Sequence, residues 1–566
     1  MKTTKNIARL AVTAGLTAAL SFGGVMAPVT MAFAEGTTTA NGSVTIANVE
    51  GNHTEFDGYQ IFKADVATVE GKTVVSNITW ANGSVKAAVE GVIKNEEPTY
   101  KGKTAQDAAD WITSKVTGTN DAYCVGPDNI AYKIAAAVDD LTDKKTTSAG
   151  VASGLEHGYW LFVTDAGTIG DGEAGTSPIF TVVGSTPVNV NEKTGIPTVE
   201  KKIVSDADDK EHDAADSQIG QDVTYNLYGT VAENFDKYDT YFYEFSDQIS
   251  KGLTLQTGAK IYLYKNRSDA KGDLTRAKGT DITAYFKEET PAEAAEDGSK
   301  TTTWTCDNLK KVSDVTKDSY IVVSYKAQIN KDAVVAGTEG NENAVTLNYS
   351  NNPMTSERGE TKPDTVKDYT YVLKINKVDL GTEAALDGAE FTIQATGADD
   401  GASKSLYVQK DGSLGSDPWK FVTANGGVIK VTGLDAGTYT VTEVSAPSGY
   451  AKVDPFTFEI KPSMNADDPG AGLTELTGVL TTGQNDKVIA GLTDGDSGDN
   501  KLTLKSGSEK TDGIFNITVG DTKQVGLPLT GLNGVTFTWI AGGAVLCIGV
   551  AHLIRSRKQA EESEQE

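Results

Sequence analysis

The chain is 566 residues long and carries 78 acidic against 51 basic residues, a formal charge of −27 at pH 7. That length calls for two to four domains, and so strong an acidic excess excludes nucleic acid as a partner. Three cysteines, Cys124, Cys306 and Cys547, lie too far apart in sequence for a disulfide framework, so any covalent staple must be of another kind.

Met1 to Ala34 begins with Lys2, Lys5 and Arg9, continues through a moderately apolar stretch and ends Ala32-Phe33-Ala34. This is the order of a secretory signal peptide, with cleavage expected between Ala34 and Glu35.

Residues 35–193 read as a first domain of mixed α+β structure. Gly58–Ala64 and Gly158–Val163 have the aromatic and β-branched look of strands. Thr104 with Asp107 caps a helix running through Trp111, and Asn129–Val138 reads as a second helix. Cys124 is expected to be a buried free thiol. The domain ends at Val188-Asn189-Val190-Asn191-Glu192-Lys193, followed by a linker, Thr194-Gly195-Ile196-Pro197.

Residues 198–353 alternate at strand period: Val223, Tyr225 and Leu227; Leu253 and Leu255; Ile261 and Leu263; Val345, Leu347 and Tyr349. A β-sandwich follows. Three polar residues share the apolar faces. Lys201 is in phase with Val199 and Ile203, Asp247 with Phe245 and Ile249, and Asn351 with Val345, Leu347 and Tyr349. Lys202 and Asn352 are the competing neighbours. A lysine, an acid and an amide in one core are costly unless they serve each other. Burial favours the neutral amine and the protonated acid, and such an amine can attack the polarised amide, release ammonia and leave an isopeptide bond.

Residues 354–368 are polar, contain Pro363 and are expected to be a linker. In 369–526, Lys377 is in phase with Leu373 and Ile375, Glu443 with Tyr439 and Val441, and Asp521 with Phe515, Ile517 and Val519, while Asn516 is out of phase. The same test therefore turns Lys377, Glu443 and Asp521 inward and Asn516 outward. Asp494–Asp499 lacks the ligands of a calcium loop, and His53, His157 and His212 have no ligand spacing. No metal or cofactor is expected.

At the C-terminal end, Leu527-Pro528-Leu529-Thr530-Gly531 precedes an apolar run, Val535–Ile554, about the roughly 20 residues a helix needs to cross a bilayer. Arg555, Arg557 and Lys558 follow and favour the cytoplasmic side.

These parts carry several resemblances. The order of 527–566 resembles the cell-wall sorting signal of Gram-positive surface proteins, cut by a sortase between Thr530 and Gly531. Val188–Lys193 resembles the pilin motif of sortase-assembled pilins, with Asn191-Glu192 where the family has Tyr-Pro; Lys193 would be the linking lysine. Glu244–Leu253 and Leu347–Pro353 resemble segments of isopeptide-forming (CnaA-like) pilin domains. Leu373–Asp379, Leu386–Phe391 and Gly433–Tyr450 resemble the CnaB-type domain, and the resemblance implies a bond between Lys377 and Asp521 with water leaving, Glu443 relaying protons and also standing as the E-box residue. The resemblance implies a mainly β chain of tandem immunoglobulin-like sandwiches. It also implies a major pilin subunit joined by sortase to other copies of itself through Thr530 and Lys193, and anchored to peptidoglycan. Ancillary pilins and host ligands are further partners. The alternative is a monomeric wall-anchored adhesin. Neither makes the chain an enzyme.

Overall fold

The computed structural model describes residues 41–69, 72–115, 129–170, 172–192, 194–291, 293–335, 339–396, 406–465, 472–482, 501–505 and 514–524. The expected signal cleavage at Ala34–Glu35, Lys193, Cys124, the 494–499 turn and the whole of 527–566 lie outside the described residues. Among the described residues no helix is long and apolar enough to cross a membrane.

Strands dominate, in three successive units. In the first, strand Gly158–Thr164 lies between Phe56–Val69 and Ile179–Val183, and every one of its residues is buried. Alternation explains this. Tyr159, Leu161 and Val163 face the helices, while Trp160 and Phe162 face a second small sheet in which Gly42–Ala47 pairs with Val188–Asn191.

Three helices cover the outer face: Gly83–Glu96, Ala105–Lys115 and Ile130–Val138. The second has the expected capping box, with the Asp107 amide donating to Thr104 Oγ1 at 3.1 Å and the Thr104 amide to Asp107 Oδ2 at 2.9 Å. The third starts at the Asn129 cap. The first went unread in the sequence, although Asn82 caps it and Val85, Val89 and Ile93 form a buried stripe four residues apart.

The middle unit is a sandwich of two seven-stranded sheets. One places Val199–Val204 beside Asp222–Thr230, then Tyr320–Ile329 and Lys260–Tyr264. The other runs Asp364–Tyr369, Asn341–Ser350, Tyr243–Ile249, Lys300–Cys306. Tyr225, Leu227, Val323 and Ala327 from the first meet Phe245, Trp304, Val345 and Leu347 from the second. Cys306 is a buried free thiol in this core.

The segment 354–368, expected as a linker, belongs to this sandwich. Arg358–Glu360 and Asp364–Tyr369 both pair with Asn341–Ser350. The polar composition misled because only Val366 and Asp368 turn fully inward.

In the third unit Tyr371–Asp379 pairs in parallel with Ile514–Lys523, Lys377 opposite Val519 and Asp379 opposite Asp521. Against this sheet lies a larger one that includes Glu390–Ala395, Gly437–Ser445 and Phe456–Met464.

The units meet through polar contacts. Tyr349 donates to the Glu173 carbonyl at 3.1 Å, and the Gly175 amide to the Asn351 carbonyl at 2.5 Å. Residues Asp216–Ile219 enter the third unit. Gln218 donates to the Gly433 carbonyl at 2.7 Å, the Ala436 amide donates to Asp216 Oδ2 at 3.1 Å, and the Ile219 amide reaches the Gly433 carbonyl at 3.0 Å. Gly433 has φ +81°, and a Cβ there would lie 2.1 Å from Ile219 Cδ1, so any side chain would force the joint apart.

Candidate functional site: two buried lysine clusters

In the middle unit, Lys201 is completely buried in the first strand, opposite Leu227. Its Nζ contacts Asp247 Oδ1, Asn343 Oδ1 at 2.5 Å and Tyr325 Oη at 3.1 Å. Tyr325 in turn donates to Asp247 Oδ2 at 2.5 Å and accepts from Asn343 Nδ2 at 2.7 Å. Lys201 and Tyr325 come from one sheet, Asp247 and Asn343 from the other, so the cluster spans the sandwich. Tyr225 stacks on Tyr325 at 5.5 Å between ring centres, and both rings wall the amine from water.

Burial pulls the Lys201 ammonium down to about 8, against the opposing pull of Asp247. Burial, with Asp247 alongside, holds the Tyr325 phenol protonated far above its ordinary range. A lysine amine poised to lose its proton, an amide in contact with it and a carboxylate touching the amine can together perform amide exchange.

The asparagine beside Lys201 is Asn343, not the expected Asn351. Asn351 lies beyond the last residue of Asn341–Ser350, eight positions from Asn343, or about 26 Å at strand rise. Its backbone bonds to Glu357 and Gly175 at the boundary with the first unit, and Asn352 accepts from the Met354 amide there. The parity argument could not separate the two, since 343 and 351 share a face. Register decides, placing Asn343 opposite Ile249 and Val345 opposite Asp247. Running the test back along the whole strand would have found Asn343, and Tyr325, in phase with Val323 and Ala327, was visible in the same way. Lys202 turns to the opposite face, paired with Asp213 at 2.6 Å.

In the third unit the structure brings together the three residues read from the sequence. Lys377, Glu443 and Asp521 are all buried, with Lys377 Nζ touching Asp521 Oδ1 and lying 3.1 Å from Glu443 Oε1. The lysine and aspartate sit two residues out of register on parallel neighbouring strands of one sheet, and Glu443 reaches over from the other. The Val453 amide fixes Glu443 Oε2 at 2.9 Å. Burial raises Asp521 to about 6 despite Lys377, and Glu443 pushes it the same way. A protonated Asp521 is an acceptor that can lose water. Asn516 is on the opposite, half-buried face. Among the described residues no group of His, Cys, Asp and Glu could hold a metal.

Residues 219–353 match the family described as Gram-positive pilin backbone subunit 2, Cna-B-like domain, and residues 372–468 match the SpaA prealbumin-like fold domain. The first stretch contains Asp247, Tyr325 and Asn343 and the second Lys377 and Glu443, while Lys201 and Asp521 lie outside the matched residues. Similar solved structures include the T6 backbone pilin of serotype M6 Streptococcus pyogenes (16% identity, 85% of this chain and 98% of that one, TM-score 0.48). The major pilin SpaD of Corynebacterium diphtheriae is similar too (18%, 86% and 98%, 0.43), as is BcpA, the major pilin subunit of Bacillus cereus (14%, 85% and 99%, 0.35). No curated protein matches the chain.

Proposed function

We propose that this chain is a structural pilin subunit that forms two internal isopeptide bonds, Lys201–Asn343 with loss of ammonia and Lys377–Asp521 with loss of water. The observation that carries this reading is the pair of fully buried lysines, each in contact with an amide or acid more than 140 residues further along the chain, beside stretches that match Gram-positive pilin backbone and SpaA prealbumin-like models. Asp247 and Glu443 serve as the proton-handling acids. Each bond forms once, so the chain turns nothing over. Each closes a loop spanning more than 140 residues, worth about 5 kcal/mol in the chain-entropy model.

In the same reading a sortase cuts Thr530–Gly531 and passes Thr530 to Lys193 of the next copy, building a covalent surface fibre attached to peptidoglycan. Lys193 follows directly on strand Val188–Asn191 and on Glu192, whose carboxylate is tied down by Asn52 and Thr54. The test is a wall extract boiled in detergent. A ladder of high-mass species that collapses in Lys193→Ala supports the fibre; a single band in the unaltered protein favours a monomeric adhesin.

A further inference from the structure

The two clusters use different leaving groups, and only one of them has a tyrosine between acid and acceptor. For ammonia to leave Asn343, Nδ2 must gain a proton, yet Asp247 touches the lysine through Oδ1, and its other oxygen, Oδ2, faces Tyr325. The phenol spans that gap, donating to Asp247 Oδ2 at 2.5 Å while accepting from Asn343 Nδ2 at 2.7 Å. In the third domain, Lys377 meets Asp521, a carboxyl that burial raises to about 6, and the nearby ring is Phe391, which has no hydroxyl.

We propose that Tyr325 is a catalytic residue of the middle-domain reaction, a proton relay from Asp247 to the departing nitrogen of Asn343. The assignment rests on the Lys201–Asn343 bond proposed above. As the neutral Lys201 amine attacks, the Nζ–Cγ bond forms and one Nζ proton passes to Asp247. The Asp247 carboxyl turns to present that proton to Tyr325, the two phenol hydrogen bonds reverse, and the phenol's own proton moves to Nδ2. The Cγ–Nδ2 bond breaks and ammonia leaves, with Nζ keeping its second proton as the amide N–H. Asp247 gives up the proton it took and Tyr325 is restored, so neither is consumed. Proton transfer by a placed side chain contributes about 10²-fold or more to rate.

The test uses the full chain, synthesised into denaturant and refolded, with peptide mapping by mass spectrometry over time. In the unaltered chain the Lys201 and Asn343 peptides become linked with loss of one ammonia. Tyr325→Phe slows that linkage by about a hundredfold and leaves the Lys377–Asp521 linkage unchanged. Asn343→Asp supplies an acceptor carrying its own proton, so Tyr325→Phe combined with Asn343→Asp closes, with loss of water, as fast as Asn343→Asp alone. Linkage in Tyr325→Phe at the unaltered rate overturns the relay while leaving the bond in place. Failure of the double variant to close where Asn343→Asp closes also overturns it, by reducing Tyr325 to a packing role. Absence of linkage in the unaltered chain overturns the bond itself.

Discussion

Lys201 faces an amide across two sheets, whereas Lys377 faces a carboxylic acid on the neighbouring strand of its own sheet. The difference governs what each pocket must contain. In the proposed Lys201 bond the amide acceptor would release ammonia and need a proton delivered, and the pocket holds a phenol hydrogen-bonded to both Asp247 and Asn343 Nδ2. In the proposed Lys377 bond the acid acceptor would release water and bring that proton with it, and the ring beside Lys377 is Phe391, 5.5 Å from Nζ. Burial is common to both, with each lysine fully out of water, and at Lys201 it pulls the ammonium down to about 8.

The largest effect expected is from removing the acceptors. Asn343→Ala abolishes the ammonia loss and lowers the melting temperature of the middle domain by about 10 to 20 °C, from the lost loop constraint. Asp521→Ala does the same to the third domain, measured by calorimetry with intact mass. Asn351→Ala leaves both mass deficits intact, and a lost ammonia deficit there would restore the acceptor expected from the sequence.

A sharper contrast comes from pH. Closure at Lys201 accelerates as pH rises through about 8, where its amine becomes neutral. Closure at Asp521 slows as pH rises through about 6, where the acid loses the proton that leaves with water. Refolding time courses from pH 5 to 9, followed by mass, should show the two rates crossing. Parallel profiles would remove the distinction between the leaving groups.

The smallest effect belongs to the joint between these domains. Burial, with Asp206 adding to it, raises Asp216 to about 7, and burial together with Asp216 raises Asp435 well above the carboxylate range. Since these folded-state values lie above the unfolded ones, their contribution is fully present below about pH 4 and is lost as pH climbs through about 7. Calorimetry at pH 5 and pH 8 should show the loss, and Asp216→Asn should flatten it.

Much of this was legible because strands alternate. Lys201, Asp247, Lys377, Glu443 and Asp521 each betrayed themselves as a polar residue on an apolar face. Asn351 was expected beside Lys201 in place of Asn343 because parity repeats every two residues and carries no information on register, which depends on the partner strands Tyr243–Ile249 and Asp364–Tyr369. The same segment Asp364–Tyr369 hid inside polar sequence because half of its residues face out. The helix at Gly83–Glu96 had its cap and its stripe and could have been read.

The position of Asn343 would load the middle domain differently from the third. A pull arriving along Val199–Val204 would cross at Lys201 to Asn343, but the chain leaves only after running to Ser350, turning and coming back along Asp364–Tyr369. Asn341–Ser350 also pairs with Tyr243–Ile249 and buries Val345, Leu347 and Tyr349, so the stretch beyond the crossing is held by two rows of hydrogen bonds and by the core itself. In the third domain the load would pass from Lys377 straight into Asp521 near the point of departure. A filament of such units would rest on noncovalent packing in one link and on a covalent strut in the next.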